Sequence, residues 1–546
     1  MKEQLLHTPE GVRDIYGKEY ARKLALERQL HETIHSYGYE DIQTPTFEFF
    51  DVFSSNIGTT PSNELYKFYD KDGNTLVLRP DFTPSIARCA AKYFMEAEVP
   101  IRFSYMGNTF SNNSNLQGKL KEVTQMGAEL INAPEVEADA EMVRLVIETL
   151  QNAGLTKFRV TIGEVDYFKG LCEEAGLDEE TENDLRACIC EKNYFAAGQL
   201  LSERNVAEPY RSILLKLADM FESRESLVEA KEMVKNARSL NAIARLEELY
   251  QLLKDSHLEE YVAFDLGMLS NYNYYTGVIF KAYTMGTGDA VVKGGRYDNL
   301  LKQFGKDAPA SGFVIVIDDL LEALNRQTCD GEGDRYLTIA LGKGRIAGKT
   351  LQLLEEIGIT CEEMKDKDTR KLIFVNEELK LRFFLAKGPD VPTYVEYGAA
   401  DIGVVGKDII MEENRNVHEV LDLGFGRCRM CVCGPESARE LLKHHERIRV
   451  ASKYPNIAKE YFYDKKHQTV DIIKLNGSVE LGPLVELSDV IVDIVETGST
   501  LRENGLDVLE DVCQLSTRMI VNPVSLQMEA ERIKALVLAI RERLNN

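Results

Sequence analysis

A short run of hydroxyl-bearing residues near the carboxyl terminus has the composition of an anion-binding turn. In SDVIVDIVETGSTLRENGL, residues 488–506, Thr497, Ser499 and Thr500 supply hydroxyl donors around Gly498. Glycine lets a backbone approach a ligand closely, and the N–H groups at the start of a following helix favour negative charge. The pattern therefore predicts that phosphate binds on this turn.

Two carboxylates accompany the turn. Glu496 begins it, and Asp493 lies in the apolar strand that precedes it. Either side chain could accept hydrogen bonds from sugar hydroxyls or hold a metal ion through water. The loop therefore predicts a sugar-phosphate site, although an ordinary capped strand-to-helix turn fits the five residues 496–500 equally well. The GxxxxGK[ST] spacing of a Walker loop is absent.

The elements that position this loop predict an α/β unit. After residue 336, short apolar strands such as KLIFVN, ADIGVVG and VIVDIV alternate with helical segments. Residues 1–325 instead mix helices with longer strands, which predicts an antiparallel sheet in an α+β unit. A helical insertion is expected at about 172–258, and the polar stretch 326–335 is expected to be a linker before the unit of residues 336–546.

Composition narrows the classes of function. The 546 residues suggest three to four domains, and the net charge of −24 argues against a general nucleic-acid-binding protein. Neither an export signal nor an apolar run of about 20 residues is visible, so we expect a cytoplasmic protein that does not enter a membrane. Cys428, Cys431 and Cys433 alternate as in a buried strand, which we favour over a metal site.

Residues 336–546 resemble the short form of ATP phosphoribosyltransferase over essentially their full length. The resemblance rests on LTIALGKGRI, DVPTYVEYGAADIGVVGKD, LGFGRCRM, SKYPNIAKEYF, IIKLNGSVELGP, DIVETGSTLRENGL and STRMIVN. It implies two α/β lobes with a cleft between them, like a periplasmic binding protein. The implied reaction is phosphoribosyl transfer from phosphoribosyl pyrophosphate to N1 of ATP, with Mg²⁺ as cofactor, held mainly through substrate phosphates rather than by an assigned protein ligand.

The resemblance also assigns expected roles to residues. The expected catalytic residues are Glu496, Asp493, Lys343 and Arg345. Phosphoribosyl pyrophosphate is expected on Glu496, Thr497, Gly498, Ser499, Thr500, Leu501, Lys453 and Tyr454, and ATP on Gly342, Lys343, Gly344, Arg345, Arg427 and Arg429. Glu480 and Asp401 are weaker candidates, because either carboxylate could merely bond backbone. Electrostatic positioning without a covalent enzyme intermediate is expected.

Residues 1–325 resemble histidyl-tRNA synthetase, a class II synthetase. The matching segments are GYEDIQTPTFE, LRPDFTPS, YMGNTFSNNSNLQGKLKEVTQMGAELI, NYNYYTGVIF, GGRYDNLL and GFVIVIDDLLEAL. Three arginines expected in that family are replaced, by Ser111, Ser270 and Asp319. Each charged contact to phosphate contributes roughly 1.5–3 kcal/mol, so their loss should abolish adenylate formation.

Histidine binding, by contrast, is expected to be retained. The candidate residues are Asp81, Thr83, Gln125, Glu129, Tyr274 and Tyr275. The pattern resembles the regulatory subunit that partners the short-form transferase, which implies feedback inhibition by histidine and a larger homo-oligomer. Both halves lie on one chain here, which gives them a fixed ratio and a high effective concentration.

Two other functions compete with this interpretation. An active histidyl-tRNA synthetase with an unusual tail would catalyse histidine-dependent exchange of ATP with pyrophosphate, and the three replaced arginines argue against it. A non-catalytic binding protein would also suit two lobes, but the ETGSTLRENGL loop and the lack of an export signal argue against it.

Overall fold

A computed structural model describes residues 6–54, 60–113, 118–217, 224–270, 274–327, 335–365, 371–443 and 447–545. The chain divides into two compact units, Met1–Gly333 and Asp334–Asn546. Within the described ranges, no helix combines the length and the apolar character needed to cross a bilayer.

An eight-stranded sheet organises the first unit, beside a small three-stranded sheet. The strands of the unit are β1 Glu40–Asp41, β2 Phe47–Phe49, β3 Lys67–Tyr69, β4 Thr75–Leu78, β5 Ile101–Phe110, β6 Glu122–Ile131, β7 Arg159–Glu164, β8 Val262–Phe264, β9 Val278–Tyr283, β10 Val292–Arg296 and β11 Ala310–Val316. The large sheet has the order β1-β5-β6-β11-β10-β9-β7-β8, and the small one β2-β4-β3. Central pairings are antiparallel, whereas β1–β5 and β7–β8 are parallel. The expected antiparallel architecture is confirmed.

Ten helices are assigned among the described residues of this unit: α1 Gly17–Ser36, α2 Thr83–Tyr93, α3 Val136–Asn152, α4 Val165–Ala175, α5 Glu179–Cys190, α6 Tyr194–Glu203, α7 Tyr210–Lys216, α8 Arg224–Met233, α9 Ala237–Asp255 and α10 Ile317–Gln327. Helices α4 to α9 follow β7 in succession over the stretch expected to be a helical insertion. Because α10 continues to Gln327, the first two residues of the expected linker are helical; residues 328–334 lie outside the described ranges.

A buried ion network ties this helical stretch to the sheet. Asp139 on α3 accepts from Arg296 on β10 at 2.7 Å and from Arg245 on α9 at 2.7 Å. Both carboxylate oxygens are therefore hydrogen-bonded to arginine, as a buried charge requires.

The second unit has two sheets, one in each of two lobes. Its strands are β12 Leu337–Gly342, β13 Ile373–Asn376, β14 Leu381–Ala386, β15 Ile402–Gly406, β16 His418–Asp422, β17 Cys428–Gly434, β18 Ile448–Ser452, β19 Val470–Lys474, β20 Val490–Val495, β21 Asp507–Leu515 and β22 Thr517–Val521. The sheet of lobe one has the order β13-β14-β12-β15-β22-β16, and that of lobe two β19-β18-β20-β17-β21. The expected two-lobed α/β class is confirmed.

The chain crosses between the lobes twice, after β16 and after β21. The two crossings lie side by side, because Thr517 N–H donates to Phe425 O at 3.0 Å and Leu423 N–H donates to Thr517 O at 2.9 Å. The helices of the unit are α11 Arg345–Glu356, α12 Val391–Glu396, α13 Lys407–Glu413, α14 Ala438–Lys443, α15 Pro455–Lys459, α16 Leu481–Leu484, α17 Ser499–Glu503, α18 Pro523–Met528 and α19 Ala530–Asn545.

The cysteine run RCRMCVCG forms β17, as the alternation indicates. Cys431 and Cys433 are fully buried and face one apolar cluster of lobe two, while Met430 and Val432 face the other. Within the described ranges, no group of potential metal ligands includes these cysteines.

Candidate functional site

The Glu496–Leu501 loop leaves the carboxyl end of β20, where ligands of α/β sheets commonly bind. Gly498 has φ of +71°, a left-handed conformation that favours glycine. Thr497 and Ser499 expose their side chains, as the anion-binding prediction requires. Leu501 differs, because its side chain is 7% exposed and packs into the lobe-two core. Leu501 therefore anchors the loop, and any contact it makes with a ligand would come from its backbone.

The helix after this loop is shorter than the sequence pattern suggests. Helix α17 has five residues, so its dipole adds little to anion binding. Anion binding at this turn would therefore depend more on the hydroxyls, and Thr497 Oγ1 and Ser499 Oγ lie 3.0 Å apart. Arg502 Nη2 donates to the Thr497 carbonyl at 3.2 Å and places a cation beside the turn, which the sequence analysis had not singled out.

The GKGR segment faces this loop from lobe one. Gly342 ends β12, Lys343 exposes its side chain, and Gly344 has φ of +106° at the start of α11. The Arg345 Nη2 atom lies 3.6 Å from Glu496 Oε2, with the two side chains 87% and 61% exposed. Such an exposed ion pair adds little stability. Its value is geometric, because it shows that strand ends of different lobes bring these two predicted residues together.

The two arginines of GRCR have different surroundings. Arg427 is exposed, and its Nε donates to Gly424 O at 3.1 Å. Arg429 lies opposite Val495 in the β17–β20 pairing, one residue before Glu496, but its Nη1 donates to Asp511 Oδ1 at 2.8 Å. A phosphate would therefore compete with Asp511 for Arg429, whereas Arg427 pairs with no carboxylate of the described residues.

Asp493 and Lys453 lie near each other at the carboxyl ends of β20 and β18. Burial raises the pKa of Asp493 to about 6, with Glu480 and Asp408 adding to the rise and Lys453 opposing it. This places the carboxyl in partial protonation near neutral pH, where it can exchange a proton or bind a cation.

Tyr454 is less available to a ligand than expected. Its ring is 6% exposed within the lobe-two core, and its hydroxyl donates to Asp408 Oδ2 on α13 at 3.1 Å. Beside it, Asn456 N–H donates to Glu412 Oε2 at 3.0 Å. Tyr454 therefore joins the lobes, and Asp408, although part of a quoted motif, was missed because nothing in the sequence connects it with Tyr454.

The two weaker candidates also differ. Asp401 is buried and accepts from Arg335 Nη2 at 2.6 Å and from Thr338 N–H at 2.7 Å, so it is structural. Glu480 is partly exposed and contributes to the raised pKa of Asp493, which places it near the candidate site.

Glu129 is the centre of the expected histidine pocket in the first unit. Its side chain is 1% exposed and accepts from Thr83 Oγ1 at 2.7 Å and from the Tyr297 hydroxyl. Burial raises the pKa of Glu129 to about 8, the two hydrogen bonds oppose the rise, and Asp81 adds to it. Asp81 also accepts from Thr83 N–H at 3.1 Å. Tyr297, within the quoted GGRYDNLL, had not been assigned a role.

The aromatic side of this pocket is made of three tyrosine rings tilted against one another. The rings of Tyr274 and Tyr275 lie 4.2 Å apart, and those of Tyr274 and Tyr297 5.9 Å apart. The charges of Asp81 and Glu129 both raise the pKa of Tyr275, after burial as the main cause, so the rings and carboxyls share one region. Gln125 presents a buried Oε1 atom that accepts no hydrogen bond from the residues that the structure describes. A buried unsatisfied acceptor calls for a donor, which a ligand could supply.

The three positions without arginine carry neutral or acidic side chains. Ser111 Oγ donates to Asn113 Oδ1 at 2.7 Å. Ser270 is partly buried just before residues 271–273, which lie outside the described ranges. Burial raises the pKa of Asp319 to about 6, and Asp289 adds to the rise. None of these side chains can offer the cation that an ATP phosphate requires.

Family models cover both units. The histidyl-tRNA synthetase model matches residues 11–320, and the ATP phosphoribosyltransferase model matches residues 387–542. The chain is 71% identical over 208 residues to the ATP phosphoribosyltransferase of Lachnoclostridium phytofermentans, which is 38% of this chain and 97% of that protein. This chain belongs to the ATP phosphoribosyltransferase family.

This family member also resembles regulatory subunits, over more of the chain than its first unit. The ATP phosphoribosyltransferase regulatory subunit of Acetivibrio thermocellus is 35% identical over 421 residues, covering 77% of this chain and 96% of that protein. A solved ATP phosphoribosyltransferase regulatory subunit/histidyl-tRNA synthetase from Bacillus halodurans matches with a TM-score of 0.56 and 30% identity, over 70% of this chain and 99% of that one. A regulatory-subunit-like unit and a transferase unit are thus joined in one chain.

Proposed function

We propose that the second unit catalyses phosphoribosyl transfer in the cleft between its lobes, and that histidine bound in the first unit lowers this activity. The observation that carries the first part is the approach of Arg345 to Glu496 across the cleft. As a member of the ATP phosphoribosyltransferase family, the chain acts at the first step of histidine biosynthesis. In this reaction the bond from C1′ to pyrophosphate breaks as adenine N1 forms its bond to C1′.

The cleft residues divide the work of that reaction. The Thr497, Ser499 and Thr500 hydroxyls hold the 5′-phosphate, and Glu496 accepts from the ribose hydroxyls. Lys343 and Arg345 stabilise the charge that gathers on departing pyrophosphate. Each such cationic contact contributes roughly 1.5–3 kcal/mol to the transition state. Arg427 is the better supported of the two GRCR arginines for ATP phosphate, because it pairs with no carboxylate of the described residues.

Magnesium fits the donor set on one side of this cleft. Asp493 and Glu496 present carboxylate oxygens, which Mg²⁺ prefers, and burial raises the pKa of Asp493 although Lys453 opposes the rise, so a further cation would favour its ionised form. When bound, the ion would neutralise pyrophosphate charge and assist its departure. Asp493 and Glu496 would orient it, through water or directly, while the protein cations hold the outer phosphate oxygens.

Histidine supplies the groups that the first-unit pocket lacks. Its α-ammonium or imidazole N–H is a donor for the unsatisfied Gln125 Oε1. Its positive charge would also favour ionised Glu129, whose pKa burial holds at about 8 in the absence of ligand. Tyr274 and Tyr275 would enclose the imidazole ring. For histidine to inhibit, the chain must have two states that bind histidine with different affinity.

Adenylate formation is lost in this proposal, and the pocket serves as a sensor. Support comes from Ser111, Ser270 and Asp319, where the adenylate-forming relatives would need cations. The proposal further includes a homo-oligomeric assembly. It also includes a cytoplasmic location, which suits a biosynthetic enzyme with small anionic substrates. ATP, phosphoribosyl pyrophosphate and inhibitory histidine are its partners, and nucleic acid and membrane are not.

Pyrophosphate release tests both parts of the proposal. Purified chain with Mg²⁺ and ATP should release pyrophosphate only when phosphoribosyl pyrophosphate is added, and less when histidine is added as well. Tyr275→Ala should keep the release and weaken the inhibition. Release that requires histidine without phosphoribosyl pyrophosphate would instead identify a working synthetase. Inhibition that Tyr275→Ala leaves unchanged would place the sensor elsewhere.

A further inference from the structure

His31, His35 and Asp41 bring three potential metal-binding atoms together on the surface of the first unit. His31 Nε2 lies 3.0 Å from each Asp41 carboxylate oxygen, and His35 Nε2 lies 3.1 Å from Asp41 Oδ1. The ligand atoms of the three side chains all lie within 4.8 Å of one another. No other such group of histidine, cysteine or acidic residues is found within the described ranges.

The secondary structure explains why these side chains converge. His31 and His35 are one helical turn apart on α1, and the rings lie 4.1 Å apart. Gly38, with φ of +79°, ends the helix and reverses the chain, so that Asp41 returns beside the last turn. Tyr39 is buried and holds this reversal in place, since its hydroxyl donates to Glu141 Oε1 at 2.8 Å.

The carboxylate is also held from behind. Asp41 pairs with Ser104 in the parallel β1–β5 ladder, and Ser104 Oγ donates to Asp41 Oδ1 at 2.8 Å. Partners of this kind orient the carboxylates and imidazoles that ligate metals. Two imidazole nitrogens and the Ser104 hydroxyl thus converge on Asp41, whose side chain is 59% exposed to solvent.

We propose that His31, His35 and Asp41 form a binding site for a divalent transition-metal ion, with zinc as the ion it takes. A tetrahedral zinc with bonds of about 2.0–2.2 Å separates its ligand atoms by about 3.3 Å. The two histidine nitrogens already lie 3.0 Å and 3.1 Å from Asp41 oxygens, and no two of the three ligand atoms are more than 4.8 Å apart. Two imidazoles and one carboxylate favour zinc over magnesium, which prefers oxygen ligands.

Three protein ligands leave one position of the tetrahedron for water or another small ligand. The carbonyl end of α1 adds a favourable field for a cation, because His35 belongs to its last turn. The bound ion would connect the end of α1 with the edge strand β1. The site shares no residue with the histidine pocket or with the transferase cleft, and its occupation can be measured by metal binding alone.

Equilibrium dialysis of the full chain, stripped with a chelator beforehand, measures the site directly. Wild type should bind one equivalent of zinc. His35→Gln and Asp41→Asn should each lower the affinity for zinc by at least about tenfold, because losing a ligand costs no less affinity than losing a residue that supports one. Ser104→Ala should weaken it by about tenfold or less. His7→Gln removes an exposed histidine elsewhere in the unit and should bind as wild type does.

Cobalt(II) separates this site from the cysteines. Cobalt bound by His31, His35 and Asp41 should give visible bands without the near-ultraviolet bands of thiolate ligation, and the visible bands should vanish in His35→Gln. Circular dichroism of each variant shows whether it is folded, and the milder Asp41→Asn guards against a fold defect in the histidine variants. Metal binding that is absent from wild type, or equal in wild type, His35→Gln and Asp41→Asn, would overturn the proposal.

Discussion

Glu129→Gln is the substitution that the structure describes most completely. Glu129 is 1% exposed, and both carboxylate oxygens accept from hydroxyls, those of Thr83 and Tyr297. Burial raises its pKa to about 8 from an ordinary 4.5, against the lowering effect of the two hydrogen bonds. Glutamine has the same shape and can bond both hydroxyls, but it cannot titrate. The substitution therefore removes the titration of residue 129 and keeps its shape and its hydrogen bonds to the two hydroxyls.

The sign of the effect follows from the raised pKa. Between the ordinary value and about 8, the folded chain keeps a proton on Glu129 that the unfolded chain has lost. Stability from this group is therefore complete below about pH 4.5 and disappears as the pH rises through about 8. From about pH 5 to about pH 8, the free energy of unfolding of wild type should fall by roughly 3.5 kcal/mol relative to Glu129→Gln.

Hydrogen exchange measured by mass spectrometry can follow this effect within the first unit. The measured quantities are the opening free energies of the β6 and β11 amides, after correction for intrinsic exchange. They are used instead of a global unfolding curve because a chain of two units need not unfold in a single transition. Glu164→Gln is the matched control, because burial also raises the pKa of Glu164 to about 8. It should remove a similar pH dependence of its own but leave histidine affinity unchanged, whereas Glu129→Gln should alter histidine affinity.

Equal pH slopes in wild type and Glu129→Gln would refute this reasoning, because they would mean that Glu129 is ionised or solvated in the folded chain. Equal histidine affinity in wild type and Glu129→Gln, with a changed slope, would keep the electrostatics but remove Glu129 from the histidine pocket.

Three further substitutions test the remaining contacts. Gly498→Ala should raise the KM for phosphoribosyl pyrophosphate about tenfold, because a residue with a Cβ adopts a φ of +71° only at a cost of about 1 kcal/mol and would deform the turn. Gly477→Ala is the control, and it should leave this KM unchanged because the added Cβ would meet open space. Arg345→Ala should lower kcat/KM roughly ten- to hundredfold and change the melting temperature little, since the side chain is 87% exposed. Arg447→Ala, which removes a similarly exposed ion pair, is the control. Equal activity of the two variants would exclude Arg345 from the reaction. Gln125→Leu should weaken histidine inhibition at least about tenfold in titrations of pyrophosphate release while leaving stability equal or higher, since it removes a buried acceptor that has no partner; a loss of stability with full inhibition would contradict this.

Much of the fold was visible in the sequence because apolar periodicity is a local property. The short continuous strands after residue 336 indicated an α/β unit, and the cysteine run became β17 as its alternation indicated. The antiparallel sheet of the first unit was likewise confirmed. The helix after the phosphate turn was less predictable: α17 ends after five residues, and the sequence pattern alone does not show where a helix stops packing.

The chemical identity of the candidate site residues came from the sequence, but their availability did not. Lys343, Arg345 and the Glu496–Leu501 loop were chosen by residue type, and their roles stay predictions. Tyr454 was chosen in the same way, yet its ring is buried and its hydroxyl bonds Asp408 from the other lobe. Leu501 is another such case, because its side chain belongs to the core.

The sequence by itself determined which groups this chain can use: hydroxyls and glycine in the turn at residues 496–500, cations in GKGR and GRCR, and no cation at the three positions where the synthetase resemblance expects arginine. Only the tertiary structure decided which of those groups meet. Arg345 and Glu496 are 3.6 Å apart although 150 residues separate them, and Tyr297, which follows β10, donates to Glu129 on β6. Local sequence sets the chemistry of each side chain and the period of each element. Distances between elements, and the pKa values that burial imposes, exist only once the sheets and helices have packed.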